Sequence, residues 1–186
     1  MNMIASLHHA VFGQIERLAP VVMPTLARLI FAGVLMFYFW ASALTKLGDG
    51  IFGFLSPSTG AYAQIYPRKA EAVLYDATQF SGFEKFVILA GTWAEFILPL
   101  LIVIGLFTRL SALGMIGFIV VQSLTDIVGH SAAPETVGTW FDRISDSLIV
   151  DQRAFWVFLL LYLVFRGAGP LSVDNVLVRR QASAEA

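Results

Sequence analysis

The sequence has no cysteine. That absence removes disulfide exchange, thiolate catalysis, iron–sulfur ligation and cysteine-based zinc sites. Charge is scarce as well: Asp, Glu, Lys and Arg make up 13% of the residues, about half the share of an ordinary soluble domain. The net charge of −1 gives no electrostatic footprint for nucleic acid, so a nucleic-acid partner is not expected. Histidine occurs three times, as His8, His9 and His130. The topology predicted below puts His130 across the membrane from the other two, so no two histidines can clamp a haem from facing helices. The adjacent His8 and His9 read as interfacial polar residues, and no metal site is expected. There is also no Gly-rich phosphate loop and no arrangement resembling a nucleophile triad.

What the sequence does have is apolar length. Hydrophobic residues are 58% of the chain and its mean hydropathy is +0.76, the signature of membrane spans rather than of a soluble core. Four spans are predicted, near residues 24–47, 86–106, 108–128 and 151–167. The fold class expected is therefore all-α and integral to the membrane: one four-helix domain over 1–186, with outer loops 48–85 and 129–150 and a cytoplasmic tail 168–186. Pro24 suits the first turn of span one, where its missing N–H costs nothing. The stretch before it reads as a short amphipathic surface segment rather than a cleavable signal. Spans two and three are joined so closely that Phe107-Thr108 must form a tight hairpin. The fourth span has only twelve uncharged residues between Arg153 and Arg166, so both arginines are expected to snorkel to the interface.

The loops carry weaker patterns. "PRKAEAVLYDATQF" predicts a short surface helix. In "TWFDRISDSLI", Trp140, Phe141, Ile144 and Leu148 fall at helical spacing and predict a second, amphipathic helix. In the tail, Ser172 is placed to cap a helix over "VDNVLVRR". Basic residues are denser on the side holding Arg17, Arg28, Arg109, Arg166, Arg179 and Arg180, against the acids Glu16, Asp174 and Glu185. The opposite loops carry an acidic excess. Both termini are therefore expected on the cytoplasmic side. Spans one and three also share the pattern Arg-Leu-x3-Gly-x3-Phe-x4-Ser, consistent with a parallel repeat of two hairpins.

The informative residues are the ionisable ones inside the spans. Glu95 lies ~13 to 16 Å from either membrane surface at ~1.5 Å of rise per residue. A charged acid there costs several kcal/mol on insertion scales, so it must be paired or protonated. Lys46 ends a span running outward, and its side chain leans back into the membrane. Glu95 sits on a span running inward and leans toward the outer face, so the two converge. Gln122 and Asp126, one turn apart, fall at the same depth. A polar cluster of Lys46, Glu95, Gln122 and Asp126 is expected in the outer half of the bundle, with Tyr38, Ser42 and Trp93 as neighbours. Pro99 frees the carbonyl of Glu95 from its helical bond. Arg28, Arg109 and Arg166 are read as interface anchors. Ser111, Gly114 and Gly117 form a small-residue face that can pack within the chain or between copies, so a homo-oligomer stays open.

Three stretches, "RLIFAGVLMFYFWASALTKL", "AEFILPLLIVIGLFTRLSALG" and "DQRAFWVFLLLYLVFRGAGPLSVDNVL", together resemble the DoxX family of small four-helix membrane proteins. The resemblance covers residues 20 to 178, with Arg28, Lys46, Glu95, Arg109 and Asp174 at matching positions. It implies a bacterial inner-membrane protein, multi-pass, with both termini inside. One branch of the family is similar to a membrane subunit of a thiosulfate:quinone oxidoreductase, and other members look like membrane partners of redox or thiol-stress proteins. Without cysteine, this chain would take any thiol chemistry from a partner. The expectation is a lipid-embedded component of a redox system, in contact with quinone or anchoring a partner enzyme, with no complete active site of its own. A small transporter or lipid- and cargo-handling protein built on the Glu95/Lys46 cluster is the alternative, and a structural scaffold the third reading.

Overall fold

The computed structural model describes residues 3–184. Met1, Asn2, Glu185 and Ala186, at the two ends of the predicted domain, lie outside the described residues.

The chain begins with α1 (Met3–Phe31), which passes through a π-helical turn (Ala32–Met36) directly into α2 (Phe37–Leu44). The predicted boundary at Pro24 is thus overturned: the helix runs through both Pro20 and Pro24. The candidate span Ala5–Leu44 is 40 residues, or ~60 Å of helix, about twice a hydrocarbon core. Its inner face repeats at every fourth residue, with Ala27, Phe31, Leu35, Phe39 and Ala43 all buried. The opposite face, from Leu7 through Ile15, Leu18 and Leu29 to Phe37, stays exposed.

After α2 the chain turns back on itself. Gly48 N–H bonds the carbonyl of Gly53 at 3.0 Å, and Leu47 pairs with Pro57 in an isolated bridge. Two short helices follow: α3 (Thr59–Ile65), capped by Ser58, and α4 (Pro67–Ala72), with proline at its first position. With Phe80 and Ile88 they enclose a small second core of Ala61, Tyr62 and Ala70. Then come the two hairpin helices, α5 (Gly82–Ile104) and α6 (Thr108–Leu124), the latter prolonged by a π-helical turn (Thr125–Gly129). The start of α5 is a complete capping box between Ser81 and Glu84. Its stop is Gly105 in the left-handed region, φ 73°, a conformation that suits glycine. The tight hairpin expected at Phe107-Thr108 is present, with Phe107 itself at φ 49°.

The remaining elements are α7 (Pro134–Val137), α8 (Val150–Arg166) and α9 (Val173–Ala184). Ser172 accepts the N–H of Asn175 at 3.2 Å, the cap the sequence implied. The amphipathic helix predicted over Trp140–Leu148 does not form. Phe141 adopts φ 67°, Asp142 takes the N–H of Ile144, and Ser147 and Asp151 bond each other reciprocally. Short polar side chains there satisfy the backbone locally, which competes with helix formation.

The described chain is all-helical, with no strand among the described residues. Three helices are long and apolar enough to cross a membrane: Ala5–Leu44, Gly82–Ile104 and Thr108–Gly129. The 17-residue α8 packs beside them. The main core joins Phe31, Leu35 and Phe39 of the first rod to Ile102 of α5, Met115 and Ile119 of α6, and Leu160 and Leu163 of α8.

Candidate functional site

Lys46 lies two residues past α2, where the returning loop holds its backbone. Ser58 N–H donates to the Lys46 carbonyl at 2.9 Å, and Ser58 Oγ donates to the Thr45 carbonyl at 3.0 Å. With its main chain fixed, the side chain leans back along α2. Its Nζ meets Glu95 Oε2 at 2.7 Å and Oε1 at 3.0 Å. It also donates to Ser42 Oγ at 2.7 Å, and Ser42 in turn donates to Glu95 Oε1 at 3.1 Å. Lys46 is 5% exposed and Glu95 2%. Both charges are thus buried, paired and hydrogen-bonded, the condition under which an ion pair survives in a low dielectric. Trp40 Nε1, donating to the Phe96 carbonyl at 3.1 Å, ties α2 to α5 beside the pair.

Asp126 does not join that pair. It forms an ion pair with Arg153 of α8, whose other terminal nitrogen donates to Ser123 Oγ at 2.8 Å. Arg153 was expected to snorkel, yet it is only 7% exposed. A π turn carries an extra residue and shifts side chains out of the α-helical register, and Asp126 lies within one. Gln122 joins neither pair. Its Nε2 donates to the Tyr38 hydroxyl at 3.1 Å, while Oε1 is shut off from solvent and has no partner among the described residues. Trp93 turns outward and donates to the Phe54 carbonyl, so it is not part of the cluster.

Although the two pairs are separate, Lys46, Glu95, Gln122 and Asp126 all line one cleft of about 470 Å³ between α5 and α6. Ser42, Gln64 and His130 add to its polar lining, and Val87, Ala90, Leu98 and Phe118 to its apolar lining. Glycine makes the room. A Cβ on Gly117 would meet nothing within 4 Å, and one on Gly91 would meet only Ile65 Cδ1 at 3.8 Å. The rim residues Phe86 and Val121 are 65% and 63% exposed, so the cleft opens sideways onto the apolar flank of the bundle.

The three arginines read as anchors differ. Arg28 is no head-group anchor: it is 8% exposed, and its guanidinium donates to the carbonyls of Ile102, Val103, Ala168 and Leu171 at 2.6 to 3.1 Å. It caps the C-terminal end of α5, where carbonyls lack helical partners. Asp174 completes this fastening from α9, accepting the N–H groups of Phe107 and Thr108 at 2.7 and 3.0 Å. Arg109 and Arg166 are both exposed and have no ion-pair partner among the described residues. His8 and His9 lie edge-to-face on the exposed start of α1. His130 lines the cleft, with Nε2 at 3.0 Å from the Gln64 carbonyl.

Sequence reasoning missed Arg153, Ser123 and Gln64. Arg153 carried a signal, since a base flanking an undersized span must either reach water or find a buried acid, and Asp126 was available. Comparison of the chain with protein-family models, with curated proteins and with solved structures finds no match.

Proposed function

We propose that this chain is a DoxX-like protein of the bacterial inner membrane, with four spans and both termini cytoplasmic, that holds a quinone-class amphiphile as a component of a redox system. The observation that carries the reading is the lateral cleft between α5 and α6. Its polar lining is electrically balanced: Lys46 and Glu95 pair with each other, and Asp126 is neutralised by Arg153, which is not among the lining residues. The rest is apolar and opens on a flank that lipid would cover, so a ring with a hydrocarbon tail fits its polarity from end to end. A cleft lined by a few placed polar groups binds and orients; the chain offers no thiol, and electron transfer would fall to a partner enzyme anchored beside it. The fourth span in this reading is α8, whose Arg153 needs no interface because Asp126 neutralises it within the bundle.

Equilibrium binding of a short-chain benzoquinone and its hydroquinone to protein in lipid nanodiscs tests the proposal. Saturable binding by wild type that Gly117→Leu removes supports it, because Gly117 lines the cleft and a Cβ there would meet nothing within 4 Å, so the added side chain has open space to enter. Saturating probe with no bound fraction sinks it. The sideways opening also favours a second reading, lipid or cargo handling, in which the same cleft passes an amphiphile between bilayer and outer surface. Solute or lipid flux in proteoliposomes that depends on Glu95 would select that reading. A scaffold, by contrast, would show neither binding nor flux.

A further inference from the structure

The first helix extends well past the bundle. Arg28 grips the carbonyls of Ile102 and Val103 at the end of α5, so the level of Arg28 marks that end of the bundle. Residues 3–19 continue beyond it as ~25 Å of helix at ~1.5 Å per residue. Between Ala5 and Leu18 every residue except Gly13 is exposed, and nothing among the described residues covers this stretch.

Its side chains are nonetheless sorted by face. At about 3.6 residues per turn, Leu7, Val11, Ile15, Leu18, Val22 and Leu29 fall within ~80° of one another, and all are exposed. Met3 and Val21 on one edge and Phe12 on the other widen the apolar side to about half the circumference. His8 and Gln14 interrupt it, and the His8 ring lies 4.4 Å from that of Phe12. The other half carries Ser6, His9, Gly13, Glu16 and Arg17. A coiled-coil seam is narrower than this, and charged positions flank it to choose the partner. Here Glu16 and Arg17 sit together on the polar side and cancel. A bilayer interface, by contrast, takes up the whole apolar half of a helix.

Direction decides what the stripe can reach. Pro20 and Pro24 stand on the opposite side of the helix, in line with the buried Ala27 and Phe31. A Cβ on Gly169 would lie 2.9 Å from Pro24 Cβ, so that side rests on the turn after α8. The stripe therefore faces away from the bundle, in line with Leu29 on the flank that lipid would cover. Each proline lacks the N–H due to the carbonyl four residues earlier, that of Glu16 or of Pro20, and its ring pushes against that carbonyl. The helix is thus weakest on its proline side, and opening there tips residues 3–19 toward the stripe. Tipped that way, the stripe comes down on the bilayer surface around the bundle. Held straight, it would stand in water.

We infer that residues 3–19 are an in-plane membrane anchor, hinged at Pro20 and Pro24, whose partner is the lipid bilayer surface. The anchor rests on the chain being embedded in a membrane and uses neither the cleft nor its ligand. Because the chain has no cysteine, single cysteines can be spin-labelled in the full-length protein without background. Leu7→Cys, Val11→Cys, Ile15→Cys and Leu18→Cys report the stripe; Ser6→Cys, His9→Cys, Gly13→Cys and Arg17→Cys report the polar side. In phosphatidylcholine nanodiscs, collision of each nitroxide with oxygen, which concentrates in lipid, is compared with collision with a water-soluble nickel chelate. The oxygen-to-nickel ratio is expected to be several-fold higher at the stripe sites than at the polar ones, repeating with the helical period. Equal ratios at both sets would mean a rod free in water and would overturn the anchor. Stripe sites shielded from both reagents, with dipolar broadening between labels, would mean that a second copy covers the stripe and would overturn it too. Restoring both N–H groups with Pro20→Ala/Pro24→Ala is expected to lower the ratio at the stripe sites; an unchanged ratio would overturn the hinge. Eight separate labels in the proline-containing chain keep the pattern readable even where one variant, or the double alanine variant, fails to fold.

Discussion

Lys46, two residues past the end of α2, and Glu95, in the middle of α5, lie 49 residues apart in sequence and meet at 2.7 Å with both side chains almost fully buried. Their union removes two charges from an apolar interior at once, and Ser42 fills a further valence on each. The stability of the outer half of the bundle therefore depends on keeping the pair whole rather than on either residue alone.

Lys46→Met or Glu95→Leu alone leaves an uncompensated buried charge and is expected to cost about 3–5 kcal/mol. The double variant Lys46→Met/Glu95→Leu should recover most of that loss, since a well-packed apolar pair is close to neutral in exchange for an ion pair. Reversible unfolding in mixed micelles, followed by circular dichroism, gives the coupling. Single effects that simply add would show that the two charges are solvated separately.

Two glycines separate space from conformation. Gly117→Leu is expected to leave stability within about 0.5 kcal/mol, the range of an exposed substitution, since Gly117 is exposed and its Cβ would meet nothing within 4 Å, while abolishing ligand binding. Gly105→Ala has the opposite profile. Its Cβ would sit 2.6 Å from Ser172 Cβ and 2.9 Å from Arg28 Cζ, at φ 73°. Loss of more than ~1 kcal/mol is expected there, with the cleft, which Gly105 does not line, keeping its ligand. The same unfolding assay paired with ligand titration reads both.

What was legible in the sequence followed from periodicity and from the lean of helical side chains. The hairpin helices, the Ser172 cap and the convergence of Lys46 on Glu95 all came from such local rules. Three features escaped because they depend on neighbours remote in sequence or on backbone detail. The first rod passes through Pro24 because a proline removes one helical bond without requiring a stop. Asp126 sits in a π turn that no hydrophobic pattern signals, so its bond to Arg153 on α8 was hidden. Arg28 looked like an anchor by depth alone, yet four carbonyls from α5 and the 168–171 turn were waiting for it. The cleft itself was invisible, since Gly91 and Gly117 acquire meaning only once α5 and α6 are set side by side.

Asp76, in the loop between α4 and α5, titrates below the usual carboxylate range because the Thr78 hydroxyl and N–H both bond its Oδ1. A depressed folded-state value means the contribution is complete above the unfolded carboxyl's value, about 3.9, and disappears as pH falls through the lower folded value. The turn over Ala77–Gln79 should therefore hold through mildly acid conditions and loosen only in strong acid. Asp76→Asn should remove that pH dependence. Backbone amide shifts of Thr78 across an acid titration are the check; a midpoint at or above the ordinary carboxyl value would contradict the bonding.

At the other end of the bundle, Arg28 and Asp174 fasten the α5–α6 turn from both sides. The guanidinium satisfies carbonyls, the carboxylate satisfies N–H groups, and Asp174 N–H returns a bond to the Gly105 carbonyl at 2.8 Å. Arg28→Lys keeps the charge but has three protons on one atom in place of a planar fork, so it cannot serve carbonyls on two sides. A loss of at least ~2 kcal/mol is expected, given that single hydrogen bonds to a charged group contribute about 1.5–3 kcal/mol. Asp174→Asn keeps one acceptor for two N–H groups and should cost about 1 kcal/mol, the scale of a lost helix cap. Because both residues hold the same turn, the double variant should lose less than the sum. Protease accessibility at Phe107, which is exposed already, would rise in the same order as the stability losses. An Arg28→Lys variant as stable and as protected as wild type would mean the four carbonyls find other partners.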